Sequence, residues 1–109
     1  MDVERFRAHC LQKPGVTEDL PFGPDTLVFR VVGKIFALCD VHDFDGINLK
    51  CDPERAIELR ERYEGITPGY HMNKKHWNTV ATDGSVPDKL ILELVDHSYA
   101  LVLGKRDLG

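Results

Sequence analysis

The sequence has no Cys-x-x-Cys pair, and its three cysteines, Cys10, Cys39 and Cys51, are too few and too scattered for a disulfide frame or a four-thiolate zinc site. They read as free thiols, buried, in a reducing compartment. No segment approaches the roughly 20 apolar residues that cross a bilayer, and the acids among the first four residues argue against a secretory signal there. The expectation is a cytoplasmic protein with no membrane partner. There is no Gly-x-Ser-x-Gly elbow and no glycine-rich phosphate loop, and the cysteines lie in apolar strands or a helix, so nucleophilic catalysis has no constellation to rest on. Residues 42–46 (His-Asp-Phe-Asp-Gly) lack the third acidic position and the closing Glu of a calcium loop, and read as a hairpin turn. Internal repeats, low-complexity tracts and linkers are also missing. A net charge of −4 excludes coating nucleic acid by bulk charge.

What is present starts from another absence. Residues 65–82 contain no Asp or Glu, so the chain's −4 is +2 in this window, from Lys74 and Lys75, against −6 elsewhere. Within it, residues 68–80 (PGYHMNKKHWNTV) hold the only Trp together with Tyr70, His71, Asn73, Lys74, Lys75, His76 and Asn78. Rings offer π-faces and ammonium groups offer point charge, a mixture suited to a planar or anionic partner. His71 and His76 are five apart with no third ligand at fixed spacing, so they read as structural or surface imidazoles and no metal is expected.

At 42% hydrophobic residues, 109 residues suffice for one domain, 1–109, with its own core. Asp2 caps a first helix whose Val3, Phe6, Cys10 and Leu11 fall at helical spacing, and Lys13-Pro14-Gly15 stops it. Residues 16–24 read as a connector with Leu20 and Phe22 tucked against the core. Residues 26–32 and 35–41 are β-branched and aromatic, and Gly33-Lys34 between them predicts a tight hairpin; residues 47–51 alternate as a third strand. Asp52-Pro53 starts a second helix with Ala56, Leu59 and Tyr63 on its inner face, ending near Gly65. Residues 69–73 and 77–82 read as two more strands with Lys74-Lys75 at their junction. Pro87 opens a third helix with a broad apolar stripe, ended by Gly104, in which Ser98 is a small packing residue. The fold class expected is α+β, two layers, a mainly antiparallel five-stranded sheet with three helices in the order α-β-β-β-α-β-β-α.

Three blocks, residues 21–38 (PFGPDTLVFRVVGKIFAL), 68–80 and 96–103 (DHSYALVL), closely resemble the MmcQ/YjbR family of small bacterial proteins in order and spacing. The resemblance implies a domain of the secretion-chaperone-like or CyaY-like kind and a DNA-binding label, with mitomycin resistance in the family's name. Together the residues and the resemblance predict a non-catalytic protein without cofactor, monomer or weak homodimer, that binds nucleic acid through Tyr70, His71, Asn73, Lys74, Lys75, His76 and Trp77. The alternatives are a protein-interaction adaptor, or a small-ligand binder with a pocket lined by His71, Trp77 and Asn78.

Overall fold

The computed structural model describes residues 1–69 and 72–104. The Asp2 carboxylate accepts the Arg5 N–H (2.8 Å) and starts α1, Val3–Leu11, which buries Phe6 and Cys10 and leaves Leu11 at the surface. Strands β1 (Thr17–Asp19), β2 (Thr26–Val31), β3 (Lys34–Asp40) and β4 (Gly46–Lys50) follow. Asp52, accepting the Arg55 N–H (3.1 Å), and Pro53 then open α2, Pro53–Arg62. After it come β5 (Ile66–Pro68), β6 (Trp77–Ala81) and α3 (Asp88–Leu103). Every neighbouring pair in the order β1-β2-β3-β4-β6-β5 is antiparallel.

The sheet therefore has six strands where five are predicted. The extra one, β1, lies in the supposed connector. It pairs Thr17, Glu18 and Asp19 with Arg30, Phe29 and Val28, at an edge where backbone hydrogen bonds suffice without an apolar pattern. Arg7 of α1 grips Glu18 through both carboxylate oxygens. Leu20 and Phe22, expected against the core, are 48% and 66% exposed, because the chain leaving β1 turns outward before β2 begins. The first hairpin turns on Val32-Gly33, one residue earlier than predicted. Both residues have positive φ (48° and 77°), the two-residue geometry that matches strand twist, and Val32 takes it although β-branched residues rarely do. The predicted strand 69–73 is also displaced: β5 ends at Pro68, Tyr70 and His71 fall outside the described residues, and Met72–Asn73 lead into a turn.

Phe6 and Cys10 of α1, Ala56 and Leu59 of α2, and Ile91, Leu94 and Val95 of α3 join Phe29, Ala37, Cys39, Ile47, Leu49 and Val80 in one core on one face of the sheet. Between β2 and β3 the register slips at Phe29/Arg30, leaving Phe36 as the extra residue of a bulge. The bulge turns Phe36 to the helix side, where it meets Tyr99 edge-on (5.5 Å between ring centres). The opposite face carries Val28, Leu38, Asn48, Thr79 and Thr67 as register neighbours, and no helix covers it among the described residues.

Four consecutive residues of α3 fasten this arrangement. Asp96 accepts from Lys13 (2.5 Å) and pairs with His9 (2.7 Å), tying α3 to α1 and its C-terminal turn. His97 Nε2 accepts the Asp52 N–H (3.1 Å) at the start of α2. Ser98, fully buried, is more than the small packing residue expected: its hydroxyl donates to the Phe36 carbonyl (2.5 Å) and accepts from the Lys50 N–H (2.9 Å). It thus bridges β3 and β4 one residue beyond the last pair of their ladder, Ala37–Leu49. Tyr99 donates to the Pro14 carbonyl (2.6 Å). The block 96–99 is structural in this fold.

Candidate nucleic-acid interface

Strand β6 decides which way its residues face. Asn78 and Val80 point to the helices, so Trp77, Thr79 and Ala81 lie on the open face, with Trp77 half-buried. Before it, Asn73 folds the chain into a turn: its carbonyl accepts from the Trp77 N–H (2.9 Å) and the His76 N–H (3.3 Å), and its side-chain oxygen accepts from the Lys75 N–H (2.9 Å). Asn73, Lys74 and Lys75 are exposed at the tip, and neither lysine enters an ion pair among the described residues. His76 is half-exposed, and its carbonyl accepts the Cys51 N–H (2.7 Å) at the end of β4. Gly69 is required here, since a Cβ would stand 2.8 Å from the Trp77 Cβ. Of the predicted site residues, Asn73, Lys74, Lys75, His76 and Trp77 therefore form one continuous surface, while Tyr70 and His71 lie outside the described residues.

Arg60 of α2 underpins the turn. Its Nε donates to Asn78 Oδ1 (2.7 Å), and its terminal nitrogen donates to the Lys74 carbonyl and, at 3.3 Å, to the Trp77 carbonyl. These acceptors are all neutral, so a third positive charge sits beneath the two lysines with no carboxylate in contact with it among the described residues. Asn78 is 2% exposed, and its Nδ2 has no partner among the described residues.

Register brings in a fourth cation. Lys50 is the direct partner of Trp77 across the β4–β6 ladder, so both side chains lie on the open face. Neither Arg60 nor Lys50 is singled out by the sequence. Arg60 reads as one of several wet helix charges, and the pairing that brings Lys50 to Trp77 is a matter of register.

The other end of the same ladder has the opposite sign. Around the Gly46–Ala81 pair, a cleft of about 740 Å³ is lined by Asp40, Asp43, Asp45, Glu64 and Asp83 together with Asn48, Thr67, Thr79 and Ser85, and by no Lys, Arg or His. The backbone N–H groups of Asp43 and His42 hold the Asp40 carboxyl below its ordinary range, and the hydroxyl and N–H of Ser85 do the same for Asp83. Both stay ionised. Trp77 and Asn78 do not line this cleft, so it is not the pocket a small-ligand reading predicts. No group of three His, Cys, Asp or Glu among the described residues could hold a metal ion. Nor is any helix among them long and apolar enough to cross a membrane.

The thiols are remote from this surface chemistry. Cys10, Cys39 and Cys51 are free and buried. Burial pushes Cys39 up to about 12 and raises Cys10 and Cys51 as well, away from nucleophilic thiolate.

Comparison with known proteins places the chain among small bacterial relatives. It is 42% identical over 108 residues to YbdF of Escherichia coli O157:H7, spanning 95% of this chain and 88% of that one. It is 35% identical to YjbR of Escherichia coli K12, spanning 91% and 85%. Among solved structures it resembles DR2400 of Deinococcus radiodurans, a DUF419 protein, with a TM-score of 0.89 and 44% identity over 95% of this chain and 80% of that one. A Pseudomonas syringae crystal structure gives a TM-score of 0.80 at 33% identity, covering 94% and 99%. The YjbR family model matches residues 11–101, so with these relatives the chain belongs to the MmcQ/YjbR family.

Proposed function

We propose that this protein is a non-catalytic nucleic-acid-binding module whose contact surface is the turn 73–76 with Trp77, and to which Tyr70 and His71 belong by sequence. The observation that carries the reading is the pair Lys74-Lys75, exposed and in no ion pair among the described residues, on a turn beside a half-buried Trp. Phosphates are bound mainly through such charges, and aromatic rings on sheet faces stack on bases. Because the rest of the chain is acidic, affinity is modest and falls steeply with salt.

Each phosphate neutralised contributes about −0.9 to the slope of log K against log salt on duplex and about −0.7 on a single strand. The variant Lys74→Ala/Lys75→Ala should therefore flatten the slope by about 1.4–1.8 and weaken binding to all sequences alike. Fluorescence anisotropy on labelled oligonucleotides at two salt concentrations measures this. An unchanged slope, or no binding by the parent protein at low salt, removes the reading. A second reading, a protein-interaction adaptor, draws on the exposed Leu20 and Phe22 at the β1 edge, and gains if nucleic acid fails to bind.

A further inference from the structure

Resting on the nucleic-acid reading, we infer that the open sheet face selects short single-stranded nucleic acid and turns duplex away: Trp77, Lys50, Lys74 and Lys75 engage an unpaired base and its phosphates, and the acidic cleft rejects the second strand.

The ladder gives the scale. Lys50–Trp77 and Gly46–Ala81 are four residues apart on β4 and β6, about 13 Å at 3.3 Å per residue. The Debye length at physiological salt is about 8 Å. A strand confined to the basic end is thus largely screened from Asp45, Glu64 and their neighbours, whereas a ligand that spans the face is not. Duplex carries a negative charge every 1.7 Å or so of axis, a single strand about half that density. Over the 13 Å or so between the ends, a duplex would bring about seven or eight phosphates toward a cleft lined by five carboxylates.

Stacking favours the same choice. A base inside a duplex has both faces covered by its neighbours, but a single-stranded base can lie on an aromatic ring. Trp77 is the one large ring on this stretch of the open face among the described residues, and Lys50 stands directly across the ladder from it, a cation beside the ring for the adjacent phosphate. The acids supply rejection and the ring supplies attraction, two separate contributions to specificity.

The test titrates a fluorescein-labelled six-nucleotide single strand and an 18-base-pair duplex into the full chain at about 150 mM salt, where the Debye length is about 8 Å, also following the emission of Trp77, the chain's only Trp. The expected result is at least tenfold tighter binding of the single strand, quenching of Trp77 by it, and about tenfold weaker binding by Lys50→Gln. In Asp45→Asn/Glu64→Gln, two exposed acids with no side-chain hydrogen bond among the described residues, duplex affinity should rise several-fold while single-strand affinity barely moves. Duplex binding as tight as single strand, or an unchanged preference in the acid variant, overturns the inference and leaves nucleic-acid binding standing. If neither ligand binds, the underlying reading fails as well. Melting curves of each variant separate loss of binding from loss of fold.

Discussion

At the scale of single residues, Ser98 shows how a fold can depend on a side chain that its sequence context makes look ordinary. Its hydroxyl is a one-atom bridge between the Phe36 carbonyl and the Lys50 N–H, just beyond the Ala37–Leu49 pair where the β3–β4 ladder ends. Ser98→Ala removes the bridge without creating a large void, so the loss comes from polar backbone groups left without a partner. That should cost about 1–3 kcal/mol, read as a lower urea midpoint with an unchanged m-value. A loss below about half a kcal/mol would mean that β3 and β4 close the gap directly. In sequence, Ser98 reads only as small, because nothing in the order of residues announces the two strand ends it joins. The place of Lys74 and Lys75 at an exposed turn was legible for the opposite reason: it follows from neighbouring sequence, an acid-free window between two strand-like stretches, and needs no tertiary pairing.

Elements were legible wherever local chemistry dominates. Asp2 and Asp52-Pro53 mark helix starts through capping, which acts within four residues, and both starts stand as read. Strand β1 was not legible, since its three residues, Thr17–Asp19, are set by pairing with β2 and anchored by Arg7 from α1. The Val32-Gly33 turn escaped for a similar reason: strand pairing imposes positive φ on a valine that local preference would keep out of it. Element packing also creates a pH response at α2. His97 Nε2 accepts the Asp52 N–H, so it must be unprotonated, and burial, followed by Arg55, holds His97 below its ordinary value, with Asp52 opposing. The unfolded chain therefore takes up a proton at higher pH than the folded one. Between the two values the unfolded state binds more protons, so stability rises with pH. This contribution is present above about pH 6.5 and is lost as pH falls through the depressed value. Chemical denaturation at several pH values should show the slope, and His97→Gln should flatten it in that window. An identical pH profile for the variant would mean that the imidazole does not titrate on folding.

For the whole molecule, one core spans all three helices and the sheet, and the three thiols sample it at separate points. Cys10 comes from α1, Cys39 from β3 and Cys51 from the junction of β4 and α2, and all belong to the same buried cluster. Burial both covers them and raises them away from thiolate, so a thiol-specific reagent at neutral pH has two reasons to be slow. With no disulfide present, dithiothreitol should leave the melting temperature unchanged; losing a native disulfide typically costs about 2–5 kcal/mol, which would shift the melt of a domain this size by many degrees. If the cluster opens as one cooperative unit, all three thiols become reactive together, along the same denaturant curve as the loss of helical circular dichroism. Cys10 is the discriminating residue, because α1 reaches the rest through Phe6 against Phe29, the Arg7–Glu18 grip and the Asp96 contacts to His9 and Lys13. Should Cys10 react at lower denaturant than Cys39 and Cys51, α1 would be a separately opening unit and the core would not be single in energy even though it is single in space.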